Sequence, residues 1–502
     1  MSRPFSVRRF GAKGAALALL CAAPANASPV FELAGASTGT GGFNARAKGA
    51  SAASTYFNPA LLPRAKQGAE VGVLVLSDQI GMTLDGRPGG IVPLIVGDRQ
   101  IDDSNGNPIS NATVPTDWLE HGCSVAQCGA PPFAARPRQS QGSGSNMRAY
   151  TVLGLVDGII PNRLVLGFYA LIPMGDFTAA HSFYNDEREQ FFTNSLHPEM
   201  YADRLTATSL SLGAGLKILD RLSAGASFTL GLTNVAHAST YVQNSIDYQK
   251  LLISNDIHVE TAISPHFGVM YDALDSLHLS ATVHSEQRFT IDTGIQASLP
   301  AGNESSTSRT EVHSFLPWTF GIGAQVDLNR GAPHEFSVVG NVRYALWSDY
   351  VDRHGERPGA QGPTFDFENV FAETVGVRHH AGPFDNYFDV NYQPTPVPPQ
   401  TGRENYVDND RIGAVIGSNY TFEVLGLPVR VGVQAQAQRL IRRYQKKDDK
   451  LIVDELPDDS VDSRTGTPIV GAQGLQTNNP GWPGFASEGW ILGGAATVAL
   501  IY

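Results

Sequence analysis

The carboxy-terminal stretch from Trp490 to Tyr502 alternates between two faces at every residue. One face is apolar or small along its whole length and carries an aromatic residue at each end: Trp490, Leu492, Gly494, Ala496, Val498, Leu500 and Tyr502. Alternation with period two indicates a β-strand. An apolar face framed by aromatic residues is typical of a strand in a transmembrane barrel, with one face towards lipid and the other towards the lumen. A strand of a soluble β-sandwich alternates in the same way, so this segment alone leaves both folds open.

The amino terminus has the features of an export signal. Four basic residues precede a short apolar stretch at 14–23, and Ala25-Asn26-Ala27 fits a small-x-small cleavage site. This pattern predicts a signal peptide over residues 1–27. No later segment approaches the roughly 20 continuous apolar residues that a membrane helix needs. The chain is therefore predicted to be exported, as a periplasmic, secreted or outer-membrane barrel protein.

The net charge and the cysteine content limit the kinds of partner and ligand that the protein is predicted to bind. Removal of the four basic leader residues takes the formal net charge from −12 to −16, which argues against a nucleic-acid partner. Two cysteines remain after cleavage, Cys123 and Cys128. In an oxidising compartment they are predicted to form one small disulfide loop. A metal site needs more ligands than this pair offers, and no cofactor is predicted.

Alternation recurs along the chain. Apolar residues occupy every second position in segments that begin at Leu164, Leu210, Leu222, Leu277, Phe320, Phe336 and Val429. The opposite faces hold small or polar residues, such as Ser223, Ser227, Gln434 and Gln436. A polar second face is not expected in the dry core of a sandwich, so these strands favour a barrel with a polar interior.

Short and long connections alternate between the predicted strands. Long polar stretches are predicted at 85–145, 177–201, 348–364, 393–409 and 445–488, with tight turns between them. Short turns on one side and long loops on the other are the layout of outer-membrane barrels. The segments pair into about fourteen antiparallel strands within residues 67–502, the least certain being the pair around 371–391. All-β barrels of this length form one domain.

Residues 28–66 do not fit a barrel strand. They are rich in Gly and Ala, show no alternation and include Asn58-Pro59-Ala60 just before the first strand. The stretch is predicted to form short helical turns and loops inside the lumen, since larger barrels are often closed by a plug.

Several motifs together resemble the FadL/TodX family of outer-membrane transporters for long-chain fatty acids and other hydrophobic compounds. The stretch 50–62, with Asn58-Pro59-Ala60, looks like the hatch motif of that family. Residues 166–175 resemble its third strand, and 341–348 resemble its Trp-Ser segment. Thr395-Pro396-Val397-Pro398 followed by Asp408-Asn409-Asp410-Arg411 is similar to its Pro-Val-Pro…Asp-x-Asp-Arg loop. The resemblance covers most of the mature chain in order, except for the long first and last loops.

The resemblance implies a monomeric outer-membrane channel that breaks no bond and holds no cofactor. A hydrophobic cargo would be captured outside, pass a hatch gated by Asn58, Pro59 and Ala60, and leave sideways into membrane lipid. The exit would be a gap where Pro173 and Gly175 kink the third strand. Pro cannot donate a hydrogen bond to the ladder, and Gly bends easily.

Cations are predicted on the inward faces of three strands, at Arg288, Arg343 and Arg430. Arg binds a carboxylate through two parallel hydrogen bonds, so these residues are candidate contacts for the head of a fatty acid. The alternative is that they pair with lumen acids such as Glu286.

Two other functions remain open on the sequence. A general porin for polar solutes has the same strands but would lack the Asn-Pro-Ala plug. A surface adhesin could use the long extracellular loops. No triad-like set of residues supports an enzyme.

Overall fold

The structure is a computed structural model that describes most of the barrel and the segment before it. The described residues are 30–86, 101–102, 108–109, 141–142, 146–160, 163–174, 196, 208–230, 235–243, 250–259, 263–298, 304–351, 357, 366–454, 459, 466, 475, 477 and 479–502. The predicted signal peptide, Gly175 and the two cysteines Cys123 and Cys128 lie outside these residues. Within them, no helix is long and apolar enough to cross a membrane.

The segment before the first strand is helical and compact. It contains two short α-helices, α1 (Val30–Ala34) and α2 (Ser54–Phe57), and a 3₁₀-helix, η1 (Pro59–Arg64). An isolated bridge between Ala36 and Gly42 closes a loop between the two α-helices. We call residues 30–66 the hatch.

The strands, numbered along the chain, are β1 (Gly68–Leu84), β2 (Ile101–Asp102), β3 (Pro108–Ile109), β4 (Gln141–Gly142), β5 (Asn146–Ile160), β6 (Leu164–Pro173), β7 (Ser209–Leu219), β8 (Leu222–Leu230), β9 (Val235–Gln243), β10 (Lys250–Val259), β11 (Ile263–Leu274), β12 (Leu277–His284), β13 (Gln287–Ser298), β14 (Glu304–Leu316), β15 (Thr319–Asp327), β16 (Glu335–Ala345), β17 (Val370–Ala381), β18 (Phe384–Gln393), β19 (Arg411–Val424), β20 (Leu427–Lys446) and β21 (Gly484–Ile501). A second 3₁₀-helix, η2 (Trp347–Asp349), follows β16.

Fourteen of these strands form one closed antiparallel barrel, in the order β21-β20-β19-β18-β17-β16-β15-β12-β11-β8-β7-β6-β5-β1. The barrel closes where β1 pairs with β21 in unbroken register from Gly68↔Ile501 to Leu84↔Phe485. The predicted fold, including the pair now seen as β17 and β18, is confirmed.

The two faces of the wall separate as the alternation predicts. On β21, Trp490, Leu492, Val498 and Leu500 point outward and are 41% to 48% exposed. The inward positions Ile491, Thr497 and Ala499 are buried. The wall therefore presents apolar side chains outward and small or polar ones inward, as a barrel in lipid requires.

Short connections gather at one end of the barrel. The turns β7–β8, β11–β12, β15–β16, β17–β18 and β19–β20 are all tight, and the chain reaches β1 and leaves β21 at this same end. We call it the short-turn end. The longer connections lie at the other end.

A second sheet lies beyond the barrel wall and was not predicted. β9, β10, β13 and β14 form a four-stranded antiparallel sheet in the order β14-β13-β10-β9. They lie in the same order as β15, β12, β11 and β8, the barrel strands that they directly precede or follow in sequence. The second sheet therefore extends these four barrel strands beyond the wall. The sequence reading placed long connections at five other positions and missed 231–262 and 285–318, because alternation does not show where a strand leaves the membrane.

The hatch fills the lumen. Its residues reach inward-facing groups all around the wall: Ser37 to Tyr169 of β6, Arg64 to Asp272 of β11, Asn44 to Asn341 of β16, Gly39 to Asn419 of β19 and Leu33 to Gln438 of β20. The largest apolar core cluster joins Phe31, Tyr56 and Leu62 of the hatch to Tyr150 and Tyr169 of the wall. Residues 30–66 thus contact inward-facing side chains of β6, β11, β16, β19 and β20.

Membrane orientation is testable by labelling. Short turns of bacterial barrels face the periplasm, so Ala332→Cys in the β15–β16 turn should stay unlabelled by an impermeant maleimide in intact cells. Lys450→Cys, in the connection between β20 and β21, should react. Both are made with Cys123 and Cys128 replaced by Ser, and lysed cells supply the control for reactivity. Labelling of Ala332→Cys alone in intact cells would mean that the orientation is inverted.

Candidate functional site

The Asn58-Pro59-Ala60 motif begins η1 and is fully buried. The Asn58 side chain accepts a hydrogen bond from the Ala60 backbone N–H at 3.1 Å and donates one to the Arg46 carbonyl at 2.7 Å. Asn is a favoured helix cap, and Pro in the first turn loses no hydrogen bond there. The motif therefore sets the start of η1 and ties it to the preceding loop.

Glycines on the wall make room for this motif. A Cβ at Gly268 of β11 would collide with the Asn58 side chain, and one at Gly225 of β8 would collide with the backbone of Pro59. Gly215 of β7 faces the Pro59 carbonyl in the same way. The motif thus docks on β7, β8 and β11, towards their short-turn ends.

A first anchor between hatch and wall is a buried ion network around Glu32. Glu32 accepts hydrogen bonds from Arg46 Nη2 and from the Tyr56 hydroxyl, both at 2.6 Å, and pairs with Arg343 of β16. Burial by itself would raise the pKa of Glu32, but the charges of Arg46 and Arg343 outweigh it and hold the pKa well below the ordinary value. Glu32 is therefore ionised, and it holds the hatch to the wall through charge.

A second anchor is Asp389 of β18, which is completely buried. Its carboxylate accepts hydrogen bonds from Arg378 Nη1 at 2.6 Å, the Asn44 amide at 2.7 Å and the Phe43 backbone N–H at 3.0 Å. Arg378 also donates to the Gly41 carbonyl at 2.9 Å. Asp389 and Arg378 together therefore hold the hatch turn from Gly41 to Asn44 in place. The sequence reading missed both residues, although each is a charge at an inward position of its strand.

A cavity lies in the lumen on the other side of the hatch from the short-turn end. It is lined by hatch residues Glu32, Leu33 and Tyr56, and by wall residues that include His266, Gln287, Phe315, Arg343, Trp347, Gln393 and Arg411. Its volume is about 60 Å³, well below the roughly 300–1,000 Å³ of typical ligand pockets. The cavity in this conformation has room for a few water molecules, and it must enlarge to admit a cargo.

Three residues that line this cavity carry polar atoms without hydrogen-bond partners, and these atoms lie below the cavity surface in this conformation. Within the described part of the chain, His266 Nδ1, Gln287 Nε2 and Arg411 Nε are buried and have no hydrogen-bond partner. Two of the three are obligate donors. Leaving a buried donor unsatisfied costs about 1–3 kcal/mol, so the site suits a ligand that brings acceptor oxygens.

Aromatic side chains border the cavity on the side of the long connections. Phe315, Trp347, Tyr350, Phe367 and Tyr406 form one buried group, which we call the aromatic cluster. Tyr350 and Phe367 stack with ring centroids 4.2 Å apart, and Tyr406 meets Phe367 edge-on at 5.3 Å. The cluster joins two of the family-like segments, since Trp347 comes from 341–348 and Tyr406 lies just before Asp408-Asn409-Asp410-Arg411.

The three predicted lumen cations occupy different places. Arg343 lines the cavity and also donates to Gln393 at 2.9 Å. Arg430 faces the lumen near the short-turn end, where it pairs with Glu70 of β1. Arg288 does not share the inward face of β12, because that strand ends at His284 and a break at 285–286 changes the alternation. Its side chain is 42% exposed, pairs with Glu286 at 2.9 Å and lies 5.7 Å from the Phe315 ring.

Pairing along β6 ends earlier on one side than on the other. The register with β7 ends at Leu171↔Ser209, whereas the register with β5 continues to Tyr150↔Pro173. Tyr169, two residues before Leu171, stacks on Phe31 and hydrogen bonds to Ser37 at 2.6 Å. Phe31 and Ser37 are therefore the hatch residues near this break, whereas Asn58-Pro59-Ala60 lies further towards the short-turn end.

No group of three or more His, Cys, Asp or Glu side chains with the geometry of a metal site occurs among the described residues.

Asp389→Ala should loosen the hatch without opening the barrel. Removing one partner of a buried ion pair costs about 3–5 kcal/mol, because the other charge stays buried and unpaired. Hydrogen exchange of the Phe43 and Asn44 amides should become markedly faster, while the amides of β1 and β21 stay protected. Asp385→Ala on the same strand is the control, since Asp385 pairs with His380 and not with the hatch. Equal exchange rates in both variants would contradict an anchor at Asp389.

Solved structures similar to this chain include a FadL homologue and a toluene transporter. A Pseudomonas aeruginosa FadL homologue is 14% identical, with 95% of this chain and 98% of that chain covered and a TM-score of 0.49. The toluene transporter TodX of P. putida is 11% identical, with 90% and 94% covered and a TM-score of 0.46. No family model and no curated protein matches the sequence. At these identities and scores the likeness assigns neither a substrate nor a mechanism, and it agrees with the FadL/TodX resemblance of the sequence motifs.

Proposed function

We propose that the protein is an outer-membrane channel for hydrophobic compounds, and that it favours amphipathic acids such as long-chain fatty acids. The observation that carries the proposal is the composition of the lumen cavity. Phe315 and Trp347 offer it an apolar side, while Arg343 and Arg411 offer it a cationic side. A molecule with an apolar chain and a carboxylate matches both.

The energetics favour such a cargo. Each CH₂ group that leaves water gains about 0.8 kcal/mol, so a long chain has a strong tendency to leave solvent for the aromatic cluster. A carboxylate can then take two parallel hydrogen bonds from a guanidinium group. Burial of the acyl chain thus drives binding, and the carboxylate fixes the orientation of the cargo.

Glu32 occupies the position that a cargo carboxylate would take at Arg343. An arriving carboxylate can replace Glu32 as the partner of Arg343, so the barrel would not be left with a bare buried cation. This exchange would weaken the link between hatch and wall as the cargo arrives. Opening of the hatch would then depend on the cargo.

The proposed exit is the break between β6 and β7. Pro173 has no N–H to donate to β7, and the family resemblance places a kink at Gly175. Phe31, Ser37 and Tyr169 lie near the break, so we assign the gate to them, with Asn58-Pro59-Ala60 as the hinge that positions the hatch. Passage from lumen to lipid spares the acyl chain contact with the water below.

A general porin fits less well. The hatch residues from 51 to 62 are all buried, and they dock on glycines of the wall rather than leave a passage. Swelling of liposomes in sugar solutions would reveal a porin. An adhesin is favoured by no specific contact in the described residues.

Arg411→Gln should reduce the uptake of acids and leave the uptake of hydrocarbons nearly unchanged. The variant keeps hydrogen-bonding capacity but loses the charge, and a hydrogen bond to a charged group is worth about 1.5–3 kcal/mol, or about tenfold or more in binding. Uptake of labelled oleate into cells should fall by that factor, while uptake of toluene changes little. Arg411→Lys should restore part of the oleate uptake.

Arg221→Gln is the matched control for Arg411, because Arg221 lies in the β7–β8 turn, is 53% exposed and already pairs with Asp275. It should reduce oleate uptake much less. An equal loss of oleate and toluene uptake in Arg411→Gln would contradict the preference for acids. Unchanged uptake of both would contradict the whole site.

The exit is tested at Gly175. Gly175→Arg should block uptake of oleate and toluene alike, while heat-modifiable migration on gels shows that the barrel is folded. Leu425→Arg, in a tight turn where the side chain is 98% exposed, adds the same charge elsewhere and should leave uptake unchanged. Normal uptake by a folded Gly175→Arg protein would contradict lateral exit.

A further inference from the structure

Polar side chains occupy a row of outward positions on three neighbouring strands. His379 of β17 is in register with Asn386 of β18, and Asn386 is in register with Ser418 of β19. The alternation places all three on the face that contacts lipid, where apolar residues are expected. We call them the polar rung.

The polar rung is linked by hydrogen bonds to the short-turn end. Ser418 donates to the Asn386 side chain at 2.7 Å, and the Asn386 amide lies 3.3 Å from His379 Nδ1. His379 Nε2 lies 3.1 Å from His334 Nδ1, and His334 belongs to the β15–β16 turn. A continuous chain of polar groups thus runs from the rim of the barrel into its wall.

The depth of this row follows from its aromatic neighbours. Phe384 and Tyr420 face each other in register, with ring centroids 4.8 Å apart, and Tyr420 stacks on Phe422. Outward aromatic residues at a barrel rim mark the interface between headgroups and hydrocarbon. The Asn386–Ser418 pair lies two residues further along the strands, roughly 5 Å deeper in a tilted wall.

A groove in the outer wall adjoins the polar rung. It measures about 540 Å³ and is bordered by Phe336, Val377, Phe388, Ile416, Val433 and Ala435, with His379, Asn386 and Ser418 at its polar side. This is within the range of sites that bind small molecules. The groove is almost wholly apolar apart from that polar side, so it suits a hydrocarbon chain with a polar group at one end.

We propose that this groove binds one phospholipid from the leaflet at the short-turn end. The acyl chain lies in the groove, and the phosphate oxygens accept a hydrogen bond from His334 Nε2 at the rim, since both ring nitrogens of His379 already have partners. Imidazole N–H groups are donors that can also carry positive charge, which complements an anionic phosphate. The polar rung continues this contact towards the ester groups, which lie just below the headgroup.

The position of the groove in the wall favours a phospholipid as its ligand. His334 is at the rim, where lipid headgroups lie, and the apolar part of the groove extends along the wall, where acyl chains lie. The site is on β16–β20, whereas the proposed cargo exit is between β6 and β7. The proposal therefore does not depend on which compound the channel carries.

Native mass spectrometry of the purified protein with dioleoyl phosphatidylglycerol in detergent micelles tests the site. One phosphatidylglycerol adduct should survive on the wild type at collision energies that remove the others. Asn386→Leu and Val433→Phe should each reduce that adduct by about tenfold, equivalent to about 1.4 kcal/mol. Val269→Phe is the matched control, because Val269 is also an outward Val but on β11, and it should retain the adduct.

Both test residues point outward, so folding is checked simply by heat-modifiable migration on gels. Dioleoylglycerol, which has the same chains without the phosphate, should not form a comparable adduct. Equal retention by all variants, or equal retention of dioleoylglycerol, would overturn the proposal. So would oleate alone showing the same sensitivity to Asn386→Leu, or a dimer that Val433→Phe abolishes, since the groove would then serve cargo or a second copy.

Discussion

The closure of the barrel between its first and last strands is the constraint on which the rest of the structure depends. β1 and β21 pair along their whole common length, so neither edge leaves a row of unpaired N–H and C=O groups in the bilayer. Each such group would cost several kcal/mol in hydrocarbon, which is why sheets cross membranes only as closed barrels. Closure also creates an interior sheltered from lipid, and the hatch, its ion pairs and the cavity all occupy that interior.

Ion pairs hold the hatch inside this wall. Glu32 and Asp389 are buried carboxylates that bridge hatch and barrel through Arg343 and Arg378. Loss of a partner from a buried pair is costly, but exchange of one anion for another is not. An apolar plug of the same size would offer no such exchange. The network therefore resists spontaneous opening, and under the proposed function an anionic cargo would replace Glu32.

Departures from regular alternation coincide with the features of functional interest. Pro173 stands where β6 loses β7 as a neighbour, and the break at 285–286 brings Gln287 into the cavity while Arg288 lies beside Phe315 and pairs with Glu286. The polar rung on β17–β19 puts hydrogen-bonding groups where lipid contact predicts apolar ones. Each departure has a local cost in pairing or desolvation, and two of them adjoin the cavity or the groove.

The sequence by itself determined the strand pattern, the orientation of the apolar face, the fourteen-stranded barrel and the segment that becomes the hatch, because side-chain period and turn composition are local properties. It also placed Arg343 correctly on an inward face. Three pairings are visible only in the tertiary structure: Glu32 with Arg343, Asp389 with Asn44, which is 345 residues away, and Arg288 with Glu286. Such pairs depend on barrel closure and on where the hatch docks, and an ion pair needs distances of a few ångströms that no local pattern encodes.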